Sequence, residues 1–377
     1  MDRRLLYVAS TYSHIVNFHR PYLEYYRRQG WECHVACGGQ PMDIPEADRL
    51  IFVPFAKSMT APDNGRALSQ LRRLIRENKY DLIHVHTALA AFFTRAALWG
   101  MKDRPRVVNT VHGYLFSEDT PFFKRQLLLT AERLTARQTD LLLTMNQADY
   151  AIARRYELAP EIQNIPGMGV DFGRLENQLS RGRAELRFSL GLSDGDVMLV
   201  YGAEFSGRKN QAMLIRAMAR TGNHVKLFLP GSGGLLEECR TLARALGLED
   251  RVYFPGQAPS MAEWYLAADI AVSSSRSEGL PFNLMEAMHF SLPIAATRVK
   301  GHTDLVEDGV NGFLIPVGDE EGLARQIDTL AEQPELRARL GAEGANKAAQ
   351  YALERVMPQV LAAWGEEFAE IGRGALV

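Results

Sequence analysis

Cysteine is scarce. The 377 residues hold only Cys33, Cys37 and Cys239, an odd count with no CxxC pair. That excludes a disulfide-stapled scaffold and a zinc ribbon, and fits reduced thiols in a cytosolic protein. No apolar run reaches the roughly 18 residues that a membrane span needs. The opening MDRRLLYVAS carries charge and then a short apolar run, but Thr11 to His14 turn polar at once, so it reads as a first strand rather than a leader. Internal repeats and low-complexity tracts are absent. A GxGxxG after a strand, with an acid about 20 residues on, is also missing, which argues against a NAD-dependent dehydrogenase. Basic and aromatic residues do not interleave as in nucleic-acid-binding proteins, so no nucleic-acid partner is expected.

What is present is an ordinary globular balance, 46% hydrophobic and 23% charged, over a length that suits two large domains. The net charge of −2 hides an asymmetry: residues 1–170 carry 22 Lys and Arg against 17 Asp and Glu, and the remainder 21 against 28. A basic front half suits an acidic partner such as a phosphate or an anionic lipid surface. Apolar runs alternate with amphipathic stretches throughout, the pattern of βαβ units. Strands are expected at residues 5–9, 32–36, 82–85, 107–111 and 141–144, and again at 197–201, 225–229, 252–254, 270–273 and 293–296. The fold expected is α/β, two doubly wound Rossmann-like domains, at residues 1–170 and 171–350, with a C-terminal helix within 351–377 packing back on the first. In such sheets ligands sit beyond the carboxyl ends of the strands, so the two domains are expected to face each other across a cleft.

The unusual residues fall just after strands. In the stretch SRSEGLPFNLMEAMHFSLPIAATRVKGHTDLVEDGVNGFLIP, Glu278 follows a strand and Glu286 lies eight residues later. If the segment between is helical, a rise of about 1.5 Å per residue separates the two by roughly 12 Å, suited to holding two ends of one ligand. That exceeds the roughly 5–10 Å of a glycosidase pair. Between them Gly279, Leu280, Pro281, Phe282 and Asn283 open a helix, whose amides favour an anion such as phosphate. AEFSGRKNQ after Val197–Tyr201 offers Arg208 and Lys209 to the same anion. Gly231 and Gly256 lie in turns that permit close backbone approach. In the front half, TVHGY places His112 at a strand end, and STYSHIVNFHRPY supplies Asn17 and His19. His84 and His86, in LIHVHT, read as structural, because a histidine pair on a strand binds metal only with further ligands nearby. Asp194-Gly195-Asp196 precedes a strand and reads as a turn, so no metal is inferred.

EGLPFNLMEAM, LPIAAT and LVEDGVNGFLIP, together with AEFSGRKNQ, resemble the donor-binding core of the retaining glycosyltransferases of family 4, which have the GT-B fold. The resemblance implies that Glu278 lies by the donor hexose, Glu286 binds the nucleotide ribose, and Arg208 and Lys209 grip the diphosphate. It places His112 near the scissile sugar, Gly231 and Gly256 at the nucleotide, and Asn17 and His19 toward the acceptor. NFHRPY, TVHGY and TMNQADYAIA are most similar to the bacterial enzymes that build capsular and exopolysaccharide repeat units. A UDP-sugar, with UDP-N-acetylhexosamine among the candidates, is then the expected donor, and a glycan or polyprenyl-diphosphate-linked sugar the acceptor. No cofactor or metal is expected. The location implied is cytoplasmic, with peripheral contact at the inner membrane face through the amphipathic stretch 121–137. Two departures stand out: Ala203-Glu204 replaces the Gly-Arg of many relatives, and the first βα loop lacks a Gly-Gly pair. A sugar-nucleotide epimerase and a non-catalytic sugar-nucleotide module remain alternatives.

Overall fold

The computed structural model describes residues 3–56, 58–117 and 120–365. The chain divides into two compact units, Met1–Met168 with the segment from Val356, and Gly169–Arg355. The helix expected within 351–377 is observed at Leu353–Ala363, and its continuation beyond residue 365 lies outside the described residues.

In the first unit β1 (Arg4–Ala9), β2 (Glu32–Cys37), β3 (Arg49–Phe52), β4 (Leu82–His86), β5 (Arg106–Val111), β6 (Leu141–Thr144) and β7 (Glu161–Asn164) form one parallel sheet in the order β3-β2-β1-β4-β5-β6-β7. The second unit repeats the plan with β8 (Val197–Val200), β9 (Val225–Phe228), β10 (Val252–Tyr253), β11 (Ile270–Ser273), β12 (Ile294–Thr297) and β13 (Gly312–Ile315), ordered β10-β9-β8-β11-β12-β13. Helices cover both faces of such a sheet, so its inner strands read as unbroken apolar runs rather than alternating ones. Leu5 to Ala9 are all fully buried. Strand order reverses between β1 and β4 and between β8 and β11, the two places where a crevice opens at the carboxyl ends.

The sequence pattern missed β3, β7 and β13. All three are sheet edges: β3 keeps one buried residue of four and β7 none, while β13 buries three of four but is short and opens on a glycine. It also missed the helix Ala88–Ala97, ALAAFFTRAA, which is apolar almost all round because it is buried almost all round. The three cysteines are buried and free.

That buried helix carries one charge inward. Arg95 is fully buried, donates through Nη2 to Glu132 Oε2 at 2.8 Å, and through Nε to the Ala91 carbonyl. Glu132 lies on the helix Phe122–Ala136, so the ion pair fixes two helices against each other. Losing one partner strands a buried charge, whereas losing both does not. Glu132→Ala is therefore expected to lower unfolding free energy by about 3–5 kcal/mol, and the pair Arg95→Met with Glu132→Leu to recover most of it. Urea denaturation measures both; equal losses would show that unpaired charge is not the cause.

Candidate functional site

In the second unit, two loops converge beyond the reversal of strand order. Glu278, in the turn after β11, is 8% exposed. It accepts from Lys209 Nζ at 2.6 Å, Ser275 Oγ at 2.6 Å and Arg208 Nη1 at 2.8 Å. Burial alone would raise its pKa, but Lys209 and Arg208 outweigh burial and hold the carboxyl below its ordinary value. Burial moves Lys209 the other way, downward, against the attraction of Glu278. Arg208 keeps about half of its side chain in solvent and also donates to the Ser277 carbonyl.

The backbone under these charges is tied down. Asn210, in the left-handed region at φ 54°, ends the loop and starts the helix Gln211–Met218. Its Nδ2 donates to the Ser274 carbonyl, while Ser274 Oγ donates to the Asn210 carbonyl. Tyr201 OH lies 2.7 Å from Ser275 Oγ. His302, fully buried, bridges the Thr297 carbonyl at 2.7 Å and Ser273 Oγ at 3.2 Å. Tyr201, Ser275 and His302 had no sequence signal, because single polar residues at strand ends gain meaning only from neighbours brought by the fold.

The helix Phe282–His289 begins at Pro281 and has neither a side-chain cap nor an acid in its first turn. No acidic side chain of its own first turn offsets its positive end. Asn283 Nδ2 donates to the Gly202 carbonyl, binding this helix start to the loop after β8. Helix covers only the last part of the path from Glu278, so the separation computed from continuous helical rise does not apply to these two carboxylates. Glu286 lies one turn in, where Tyr265 OH donates to its Oε2 at 3.1 Å. It keeps some solvent exposure, yet the surrounding protein pushes its carboxyl up to about 7, partly opposed by Tyr265.

Gly231 and Gly256 are joined, the Gly231 N–H donating to the Gly256 carbonyl at 2.8 Å. At Gly231, with φ 153°, a Cβ would sit 2.1 Å from the Ala203 carbonyl oxygen. The loops after β8, β9 and β10 are thus stacked too closely for any side chain there. Ala203 takes part through its backbone, which its departure from Gly leaves intact. Asp194-Gly195-Asp196 forms a turn ahead of β8, where Asp196 accepts from Ser193.

In the first unit the structure brings His112, after β5, to 3.2 Å from His86 Nδ1, and His19 Nε2 to 3.2 Å from His14 Nε2. Asn17 is exposed, whereas His19 is fully buried against the rings of His86 and Tyr7. His19, expected toward the acceptor, is thus buried rather than presented at the surface, because the helix Tyr12–Phe18 ends just before it and turns the chain inward. Burial lowers the pKa of all four imidazoles, that of His14 to about 4. His84 stands apart, bonded to Tyr26 OH and packed on Trp364.

Residues 22–172 match the family described as Glycosyltransferase Family 4, and residues 182–347 match Glycosyl transferases group 1. A Bacillus subtilis protein named "Putative glycosyltransferase EpsD" is 33% identical over 96% of both chains. The chain belongs to the family 4 glycosyltransferases. N-acetyl-alpha-D-glucosaminyl L-malate synthase of Bacillus anthracis is 26% identical over 83% of both chains. Among solved structures, Anabaena HepE in complex with UDP and glucose superposes with a TM-score of 0.80 over 96% of this chain and 99% of that one, at 21% identity. The two parallel-sheet units are accordingly those of a GT-B glycosyltransferase.

The raised carboxyl of Glu286 has a stability consequence. Its folded pKa of about 7 exceeds the ordinary 4.5, so its ionisation opposes folding as pH rises through that window. Glu286→Gln, which never ionises, is expected to gain Tm relative to the parent from pH 4.5 up to about 7 and to hold that advantage above. Paired thermal melts across this range check it; a difference independent of pH would place the carboxyl's titration elsewhere.

Proposed function

We propose that the chain transfers a sugar, with retention of configuration, from a nucleoside-diphosphate sugar to a hydroxyl of a glycan or polyprenyl-diphosphate-linked sugar. The observation that carries this reading is the pairing of Arg208 and Lys209 on Glu278 beside an uncapped helix start. Two cations and a helix dipole on one spot suit a diphosphate, and they supply its counter-charge without a metal. In the free protein Glu278 pairs with both cations and offsets one of their two charges. A diphosphate brings more negative charge, takes the cations, and leaves Glu278 to the hexose.

The bond from the anomeric carbon to the diphosphate oxygen then breaks as the acceptor oxygen bonds to that carbon on the same face. The acceptor proton passes to the departing phosphate oxygen, so no strong protein base is needed. Arg208, Lys209 and the helix start at Leu280 to Asn283 stabilise the charge growing on the leaving group. His112 and Glu278 orient the hexose, Glu286 accepts from the ribose, and the Gly231 and Gly256 turns admit the base. UDP is favoured by the complex of HepE with UDP and glucose. The name of the B. subtilis relative and the NFHRPY resemblance favour a role in bacterial surface polysaccharide synthesis, on the cytoplasmic side.

Lys209→Ala is expected to lower kcat by about 10²–10³-fold with the fold intact. UDP, screened beside GDP, ADP and CMP, is expected to raise Tm in the parent and not in Glu286→Ala. Near-normal turnover in the first variant, or stabilisation by no nucleotide, would sink the reading.

Membrane contact belongs to the same proposal. No helix among the described residues is long and apolar enough to cross a membrane. The helix Phe122–Ala136 buries Leu129 but exposes Phe123 at 87%, Leu127 at 72% and Phe122 at 60%, near Lys124 and Arg125. Aromatic and basic side chains together suit an anionic interface. Phe122→Ser with Phe123→Ser is expected to reduce sedimentation with phosphatidylglycerol vesicles while leaving transfer to a soluble acceptor unchanged; unchanged sedimentation would refute the contact.

A further inference from the structure

Where strand order reverses in the first sheet, four imidazoles come together. His14 lies on the helix Tyr12–Phe18 and His19 directly after it, His86 ends β4, and His112 follows β5. One ring nitrogen from each lies within 4.8 Å of the other three. The cluster consists of two close pairs, His14 Nε2 with His19 Nε2 and His86 Nδ1 with His112 Nε2, both at 3.2 Å. Two nitrogens bound at about 2.0–2.1 Å to one tetrahedral ion lie about 3.3 Å apart. Each pair therefore already has the spacing of one edge of a coordination tetrahedron.

Hydrogen bonding alone leaves this arrangement incomplete. His19 Nδ1 and His86 Nε2 are buried and meet no hydrogen-bond partner among the described residues. They are the ring nitrogens opposite the paired ones, so they show how few hydrogen-bond partners surround the cluster, and the case for an ion rests on the spacing of the paired nitrogens. His302 is satisfied by Thr297 and Ser273, whereas His84, outside the cluster, shares an unpartnered Nδ1 with these rings. Tyr7 stacks on His86 at 4.8 Å and fixes its ring, while the partial exposure of His14 and His112 opens the cluster to solvent on one side.

We propose that His14, His19, His86 and His112 bind one divalent transition-metal ion. An all-imidazole set selects zinc, nickel or cobalt over magnesium or calcium, which require oxygen ligands. The site is unrelated to the diphosphate, which the second unit binds through Arg208 and Lys209. Its consequence, which rests on the proposed function, is inhibition: an ion on His112 withdraws that ring from the donor sugar, so metal occupancy and transfer exclude each other.

Cobalt tests the site without an activity assay. Titration of the metal-free full chain with Co²⁺ is expected to develop the intense visible absorption of four-coordinate cobalt, saturating at one ion per chain and bleached by Zn²⁺. His86→Ala and His14→Gln are each expected to weaken binding at least about 10-fold, as loss of even an outer partner of a metal site does. Circular dichroism establishes that each variant folds; if His86→Ala does not, His14→Gln on the open side decides. Absence of the band, or a band unaltered in the folded variants, overturns the site. Transfer that continues at saturating Zn²⁺ overturns the inhibition. Failure of UDP to stabilise the parent would instead refute the donor reading and leave the cobalt spectrum standing.

Discussion

Two cations held on one buried carboxylate organise the second unit. Glu278 could not remain ionised at 8% exposure without Lys209 and Arg208, and Lys209 could not remain buried without Glu278. The interaction demands that two loops separated by about seventy residues of sequence be fixed to each other within hydrogen-bond distance. Much of the local structure serves that demand. The left-handed turn at Asn210, its reciprocal bonds with Ser274, the Tyr201–Ser275 contact and the buried His302 all hold the ends of β8, β11 and β12 in register. A parallel sheet makes this possible, because it delivers consecutive loops to one end.

How much of this was legible in sequence depended on burial. Inner strands such as LLYVA and IAVS were evident as apolar runs because both their faces are covered. The edges RLIF and EIQN were not, since a strand with one neighbour has little to bury. Likewise ALAAFFTRAA has no polar face to betray its helical period. At the site, Glu278, Arg208 and Lys209 were readable from charge placed in glycine-bearing loops after strands, and Glu286 from its place on the helix that the Glu278 turn opens. Their mutual contact was not, and neither was the part played by Tyr201 or Tyr265, because a spacing along the chain carries no information about which loops meet. The same limit applied to the histidines: LIHVHT and NFHRPY each looked local, and only the β1–β4 reversal joins His86 to His14 and His19.

The two sheets use an identical crevice for opposite electrostatics. Beyond β8 and β11 lie fixed charges, two cations on one carboxylate, with one positive charge in excess. Beyond β1 and β4 lies a cluster of imidazoles, kept neutral by burial, beside the Ser10–Thr87 hydroxyl pair. Neutral nitrogen donors attract no anion, whereas a cation can bind them without displacing a proton at neutral pH.

Within the second unit the two glutamates divide the work by environment. Glu278, beside two cations, is ionised throughout the physiological range, and Glu286, with only a phenol to accept from, titrates near neutrality. A carboxylate strained toward protonation gains more from a new hydrogen-bond donor than one already satisfied, because the donor restores part of the solvation that burial removed. Ligand hydroxyls are such donors, and they would draw the Glu286 pKa downward on binding. Under the proposed reading Glu278 stays buried after yielding its cations to a diphosphate, so the same ligand would have to give it a new hydrogen-bond donor as well as one to Glu286.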